Sequence, residues 1–289
     1  MAETQAIDGR PVCRWLRPED REAALVLLSR DARANLLLLD LVSKLGRRQA
    51  PGEASVEVVG AWCGADLIGL AGLRPSIAIA SGMTPDVVEA LLPHLESMGM
   101  GLVKSEAPAV DALWRKLSRG GRRRALVDRT ETAYAVRPEE FQPVAESPGA
   151  PARSATRADL APLVIAARES LREENRPDPY TGDAAGFRQW VKGRIPRARL
   201  IESEGEVAFV GYADVQLPEG WLLQGVYTWP ATRRHGFASY GVSALCSEAF
   251  AAGADHVQLA VVDGNEAGRR LYEGLGFRPF SQLRTILFS

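Results

Sequence analysis

The chain has 289 residues, 46% hydrophobic and 25% charged, with a formal net charge of −1. That length is comfortable for two domains, and the composition is that of an ordinary globular protein, not a disordered or fibrous one. A near-zero net charge gives no broad electrostatic reason to expect nucleic acid or an anionic membrane as partner. The longest apolar run, Leu36-Leu-Leu-Leu39, is broken by Asp40, far short of the ~20 residues that span a bilayer. Met1 to Arg10 lacks the apolar centre of a signal peptide. Cys13, Cys63 and Cys246 have no metal-ligand spacing. They are expected to be reduced, buried thiols of a cytoplasmic protein, with no His near in sequence to make one of them a nucleophile.

In chain order, Val12–Leu16 predicts a short strand. Pro18-Glu-Asp opens a helix, because Pro suits the first turn and acids favour the positive end of the helix dipole. A second helical pattern covers Ala34 to Val42, with Asp31 near its cap. Ser55–Trp62 and Asp66–Gly72 predict a hairpin around Cys63-Gly64, and Ser76–Ala80 another strand. A helix follows from Pro85 to Met98, then a strand at Leu102–Lys104, a helix from Pro108 to Leu117, and a strand at Glu131–Val136. The basic run Arg119–Arg124 is expected to be a solvated loop. Residues 138–152 hold Pro143, Pro148 and Pro151 without periodicity and predict a linker.

The second half restarts the order. A strand at Arg153–Thr156 leads to a helix from Ala158 to Leu171. Glu173–Tyr180 is a polar, Pro-punctuated loop, and Asp183–Val191 a second helix. Arg199–Ser203 and Val207–Val215 form a hairpin around Glu204-Gly205. Trp221–Leu223 and Val226–Thr228 predict the next strand, which Pro230 ends for want of an N–H. A helix from Gly236 to Ala252 has an apolar stripe of Val242, Leu245, Ala249 and Phe250, with Gly253 as its stop. His256–Val262 is a strand, Asn265–Leu275 a helix and Leu283–Phe288 a final strand. Both halves therefore run strand, two helices, three strands, helix, strand, helix, strand, an internal repeat with little residue identity. The expected fold class is α/β with mixed sheets, divided into residues 1–137, a linker at 138–152, and 153–289.

Two stretches of the second half carry chemistry. Thr228-Trp-Pro-Ala-Thr-Arg233-Arg234-His235-Gly236-Phe237-Ala238-Ser239 joins a strand to a helix N-terminus through small residues. Such a turn aims backbone N–H groups at one point, where the helix adds roughly half a positive charge. Gly236 and Ala238 let a phosphate approach the backbone, and Arg233 and Arg234 add full charges. The spacing Arg-x-x-Gly-x-Ala resembles the acetyl-CoA pyrophosphate loop of the GNAT superfamily of N-acyltransferases. Asn265-Glu-Ala-Gly-Arg-Arg-Leu-Tyr-Glu-Gly-Leu-Gly-Phe277 resembles that family's Asn-x-x-Ala-x-x-Leu-Tyr-x-x-x-Gly-Phe, departing from it at Gly268. Asn265 and Tyr272 share a helix face by spacing. Gly268 between them leaves room for a ligand chain, and Ala267, Leu271 and Leu275 form a buried opposing stripe.

The resemblance implies two tandem GNAT-like domains. The first is degenerate, since Ala-Ser-Gly-Met-Thr at residues 80–84 has no matching Arg or glycine spacing. It also implies transfer of acetyl from acetyl-CoA to a primary amine of a small molecule or peptide. Val226, Tyr227 and Thr228 would line the pantetheine arm, with the Val226 N–H polarising the thioester carbonyl. The turn from Arg233 to Ser239 would bind the diphosphate, Asn265 the arm, and Tyr272 would protonate the leaving thiolate. Glu174 and Glu173, placed in the loop between the first two helices, are the first candidates for general base, with Asp214 behind them. His235 is expected to contact phosphate or solvent; His94 and His256 are structural or exposed. A tandem fold of this kind can also use aminoacyl-tRNA, against which the turn and the absence of a long basic surface argue. A non-catalytic acyl-CoA sensor or partner-binding module is the alternative from another class.

Overall fold

The computed structural model describes residues 10–47, 55–74, 76–121 and 123–289; the N-terminal residues 1–9 and Arg122 of the basic run lie outside them. The chain divides into two units, one holding the described residues up to Thr132 together with Ser281–Ser289, the other Ala133–Phe280.

The first unit contains β1 (Val12–Trp15), α1 (Arg21–Ser29), α2 (Leu36–Ser43), β2 (Val58–Cys63), β3 (Asp66–Gly72), β4 (Ala78–Ile79), α3 (Pro85–Leu95), β5 (Gly101–Glu106), α4 (Ala107–Leu117) and most of β6 (Ala125–Val136). Strands β1 to β4 pair antiparallel in chain order. The core gathers Val59, Ala71, Leu91, Leu95, Leu113 and Phe288 from both helices and strands. Asn35, not Asp31, holds the cap position of α2, and the Asp31 carboxylate accepts from the Ala34 N–H one turn earlier (3.1 Å). Arg123 is not a solvated charge: it donates to the carbonyls of Met98 and Leu117 (both 3.0 Å) and of Glu96, satisfying acceptors just past the end of α3 and at the last residue of α4.

The second unit contains β7 (Arg153–Ser154), α5 (Leu160–Glu173), α6 (Ala184–Arg194), β8 (Ala198–Ser203), β9 (Glu206–Leu217), β10 (Gly220–Thr228), α7 (Phe237–Ala251), β11 (Val257–Val262), α8 (Glu266–Gly274) and the start of β12 (Arg278–Phe288). Its strand order is β6-β11-β10-β9-β8-β7. Helices α5 and α6 close an apolar cluster with Leu200, Val210, Tyr212 and Tyr227. Helices α7 and α8 close another with Phe209, Trp221, Leu223 and Leu259. The irregular segment after β6 lies against this unit. Gln142 N–H donates to Leu275 O (3.0 Å), Val144 N–H to Ser243 Oγ (2.8 Å), and Phe141 meets Phe250 edge to face.

The end of β12 enters the ladder of the first unit, Leu283 to Phe288 pairing antiparallel with Glu106 to Gly101. Beyond element order, the repeat has a residue-level signature that sequence reading missed. Arg14 clamps Asp20 with two N–H bonds (2.6 and 2.9 Å), and Arg153 clamps Asp159 likewise (2.9 and 2.8 Å). Each Asp also accepts a backbone N–H at the start of its helix, from Arg17 or Thr156, so one Arg-x-x-x-x-x-Asp device fixes strand to helix in both halves.

Candidate active site

Strand β10 departs from regularity where the site is built. Gln224 pairs with Tyr212 and Tyr227 with Val210, so Gly225 and Val226 together oppose a single residue of β9. Gly225 takes φ +58, the positive value such a bulge asks of its glycine. The extra residue reverses the alternation of faces. Trp221 and Leu223 point into the cluster under α7, whereas Tyr227 joins the one under α5 and α6, and Val226 packs against the former.

Beside the bulge, the sheet opens. Parallel pairing of β10 with β11 covers only Trp221↔Val257 and Leu222↔Gln258, although β10 runs on to Thr228 and β11 to Val262. The facing edges beyond Leu222 carry backbone donors and acceptors without a partner from the opposite strand. Such groups demand satisfaction by water or by an extended ligand.

At the far end of β10 comes the turn. Arg234 has φ +66 and Gly236, the N-cap of α7, φ +87. The N–H groups from Arg234 to Ser239 donate to no other protein group among the described residues, and neither do the side chains of Arg234 and His235. Alternating left-handed residues ahead of a helix N-terminus form a concave set of donors suited to an anion. A Cβ on Gly236 would meet nothing closer than Pro148 Cγ at 3.9 Å, so approach to the backbone is open and the positive φ is what calls for glycine. Arg233 is occupied elsewhere. Its Nη2 lies 2.6 Å from Glu173 Oε1, its Nε donates to Thr228 O (3.0 Å), and its guanidinium carbon is 5.6 Å from the centre of the Tyr227 ring.

On α8, Tyr272 is 9% exposed, and burial pushes its phenol above the ordinary range. Its hydroxyl makes no hydrogen bond to any described residue, and it is not among the fully enclosed orphans, which are Trp62 Nε1 and Tyr212 Oη. Tyr272 shares an apolar cluster with Leu259, Val261 and Val226, the side chains along the parted strands. Asn265 caps α8, its Oδ1 accepting from Gly268 N–H (2.9 Å). The space beside Gly268 is filled by that carboxamide and is not open for a ligand, because a Cβ there would come within 2.9 Å of Asn265 Nδ2. Ala267 is exposed and Leu271 half-buried, so of the expected stripe only Leu275 is buried.

The candidate bases occupy positions different from those expected. Glu173 is the last residue of α5 and Glu174 its C-cap, not members of a loop. Glu173 Oε1 accepts from Tyr227 Oη (3.4 Å) as well as from Arg233, and Glu174 Oε2 lies 3.4 Å from Arg176 Nη1. Asp214 is held by Arg194 (2.5 and 3.1 Å), whose guanidinium itself lies over the Tyr212 ring, and this bidentate pair leaves Asp214 committed. His256 is buried between Asp255 (3.2 Å) and Gln258 (2.9 Å) and is structural. The thiols differ from expectation: Cys246 is buried, Cys63 exposed and Cys13 in between. Cys13 Sγ lies 3.4 Å from His94 Nδ1, a neighbour remote in sequence, yet burial pushes its thiol up to about 11, which disfavours the thiolate. Among the described residues no cluster of His, Cys, Asp or Glu could hold a metal, and no helix is long and apolar enough to cross a membrane.

The matching corner of the first unit is sealed by its own side chains. Ser105 Oγ, from β5, accepts from Ile79 N–H (2.7 Å) and donates to Ile79 O (3.3 Å). Asn35 Oδ1 accepts from Ser81 N–H (2.9 Å), and Ile77 bridges backbone to backbone with Leu102 and Lys104. The edge groups that stand open between β10 and β11 are satisfied here internally.

Residues 164–277 match the model of the Acetyltransferase (GNAT) family. No curated protein matches the sequence. Solved structures share the fold at low identity. A Drosophila protein aligns at 14% identity and a TM-score of 0.71, covering 96% of this chain and 98% of that one. A GCN5-related N-acetyltransferase from Sphaerobacter thermophilus aligns at 16% and 0.61, covering 98% and 96%. A tandem GNAT protein from the clavulanic acid biosynthesis pathway aligns at 14% and 0.59, covering 96% and 97%. At these identities the likeness is one of fold, and it extends through both halves.

Proposed function

We propose that this chain, which has the acetyltransferase fold of the GNAT superfamily in tandem arrangement, transfers acetyl from acetyl-CoA to a primary amine of a small molecule or peptide. The observation that carries the reading is a conjunction within one unit: parted parallel strands, and, among the described residues, a turn of N–H groups and a Tyr272 hydroxyl without hydrogen-bond partners.

The residues present fit the coenzyme. The turn from Arg234 through His235, Gly236, Phe237 and Ala238 to Ser239 offers its diphosphate backbone donors, and the Arg234 guanidinium is uncommitted. The inner edge at Val226 and Thr228 offers an extended arm the pairing that β11 does not. Acetyl-CoA supplies an acyl group already activated by a sulfur leaving group. The Val226 N–H, at the bulge, is the donor assigned to polarise its carbonyl. An amine of pKa about 10 is protonated at neutral pH and cannot attack until it loses a proton. Glu173 is the proposed acceptor of that proton because it lies beside Tyr227 of β10, whereas Glu174 caps the helix next to Arg176. The amine nitrogen gives up two protons on becoming an amide: one leaves by way of Glu173, and the other balances the proton that Tyr272 hands to the departing sulfur. The elevated pKa of Tyr272 keeps it a donor throughout the physiological range.

Thiol release from acetyl-CoA across an amine panel tests this directly. Amine-dependent release by the wild type is expected. Tight coenzyme binding with no release for any amine would instead identify an acyl-CoA-binding sensor.

A further inference from the structure

Asp214 and Gly225 sit at two irregularities that cancel. Leu222 pairs with Val215 but Leu223 with Ala213, so Asp214 is an extra residue on β9. Gln224 pairs with Tyr212 but Tyr227 with Val210, so β10 gains an extra residue at Gly225-Val226 and the original register returns. Only Leu223–Ala213 and Gln224–Tyr212 stand in the shifted pairing between the two bulges. The buried faces demand an extra residue on β10, because Leu223 and Tyr227, four positions apart, enter different apolar clusters. That demand is met wherever between them the extra residue falls, so the apolar pattern does not place it.

Arg194, the last residue of α6, spans both bulges. Its fork holds the Asp214 carboxylate, and its guanidinium carbon lies 3.9 Å from the centre of the Tyr212 ring and 4.9 Å from that of Trp190. At the other bulge, a Cβ on Gly225 would come within 3.0 Å of Tyr212 Cδ2 and 3.4 Å of Arg194 Nη2. The stack is therefore seated against the Gly225 backbone, where φ of +58 turns the strand. Both side chains of the pair are only 13% exposed. A buried ion pair gains little net stability over apolar residues of similar volume, and its best-attested use is to fix one register. The other cation beside the carboxylate, Arg197, stands 3.9 Å away and is more exposed.

We infer that Arg194 and Asp214 are positioning residues, a lock that holds both bulges in place and so fixes the backbone at Val226. Asp214, a base candidate by sequence, then acts through the strand and takes no proton. The consequence for turnover rests on the acyl-transfer reading, in which the Val226 N–H faces the thioester carbonyl; the lock itself needs no ligand.

The test is the double variant Arg194→Met/Asp214→Leu, which removes both charges and leaves neither buried without the other. Its thermal transition should stay near the wild type's, and its affinity for coenzyme A within about twofold, since the anion turn is a separate site. Turnover at saturating acetyl-CoA should fall about 10²-fold, the cost of a reacting group misplaced by about an ångström. In the full chain without ligand, labelled with nitrogen-15 glycine and valine, the Gly225 and Val226 amide signals should split or broaden as the extra residue changes position. Those of Gly253 and Val242 should stay sharp. Arg194→Lys keeps the charge beside Asp214 but loses the fork and the stack, so it should show the same broadening and a fall of about tenfold. It decides the matter if the double variant does not fold. Sharp single signals for Gly225 and Val226 in a folded variant overturn the lock, and broadened signals with unchanged turnover overturn the positioning role. A wild type that turns over no amine counts instead against the acyl-transfer reading, and the ligand-free spectra still judge the lock.

Discussion

On the proposed acyl-transfer reading, Tyr272 and Gly236 are the residues whose replacement should separate chemistry from binding. Tyr272→Phe removes one oxygen from a position where it has no hydrogen-bond partner among the described residues. Coenzyme affinity should be retained while turnover falls about 10²-fold, the scale of a general acid; equal turnover would remove Tyr272 from the mechanism. Gly236→Val forces a β-branched side chain to φ +87, at a cost of about 1–2 kcal/mol, and tilts the donors of the turn. Calorimetry should find coenzyme binding lost while the thermal transition persists within a few degrees; retained affinity would contradict the account. As candidates both residues were legible in the sequence because motif spacing ties each to a single backbone position. The Arg233–Glu173 pair was not, since its partners are remote in the chain and only the fold brings them together. Glycine spacing also misled at Gly268, where a local cap, not a ligand, uses the space.

At the scale of elements, most strands and helices follow from periodicity and from Pro and Gly punctuation, because each boundary is set by its own residues. What pairing does with them is not local. The Gly225 bulge had a signal, a glycine in mid-strand, but its consequence depends on the register with β9. The parting of β10 from β11 has no sequence signature at all. The same holds for the cluster around Glu131 on β6, which is 2% exposed and meets Lys104 of β5 (2.5 Å), Arg129 (3.0 Å) and Thr285 of β12 (2.8 Å). Burial alone would raise this carboxyl, but Lys104, Arg129 and the hydrogen bonds outweigh it and hold it at about 2. A folded pKa below the unfolded value stabilises the protein fully above about pH 4.5, and that contribution, about 3 kcal/mol, is lost as pH falls toward 2. Glu131→Gln should therefore be destabilised at neutral pH, since two cations lose their counter-charge. Its stability should be flatter than the wild type's between pH 4.5 and 2, as read from denaturant midpoints. Parallel slopes in that window would show that Glu131 does not govern acid unfolding.

At the scale of the whole chain, the repeat was legible as an order of elements, and the Arg14–Asp20 and Arg153–Asp159 clamps give it a common physical basis. The difference between the halves is physical too. In one, Ser105 and Asn35 satisfy the strand edge and the turn after it, and in the other those groups stand open. Sequence indicated only the missing Arg and glycine spacing, since a serine that plugs an edge looks like any other serine. The measurement that tests the central claim most directly is calorimetric titration of the full chain with acetyl-CoA. The account predicts one site per chain, abolished by Gly236→Val and unchanged by Ser105→Ala. No heat of binding, or two equivalent sites, would contradict it.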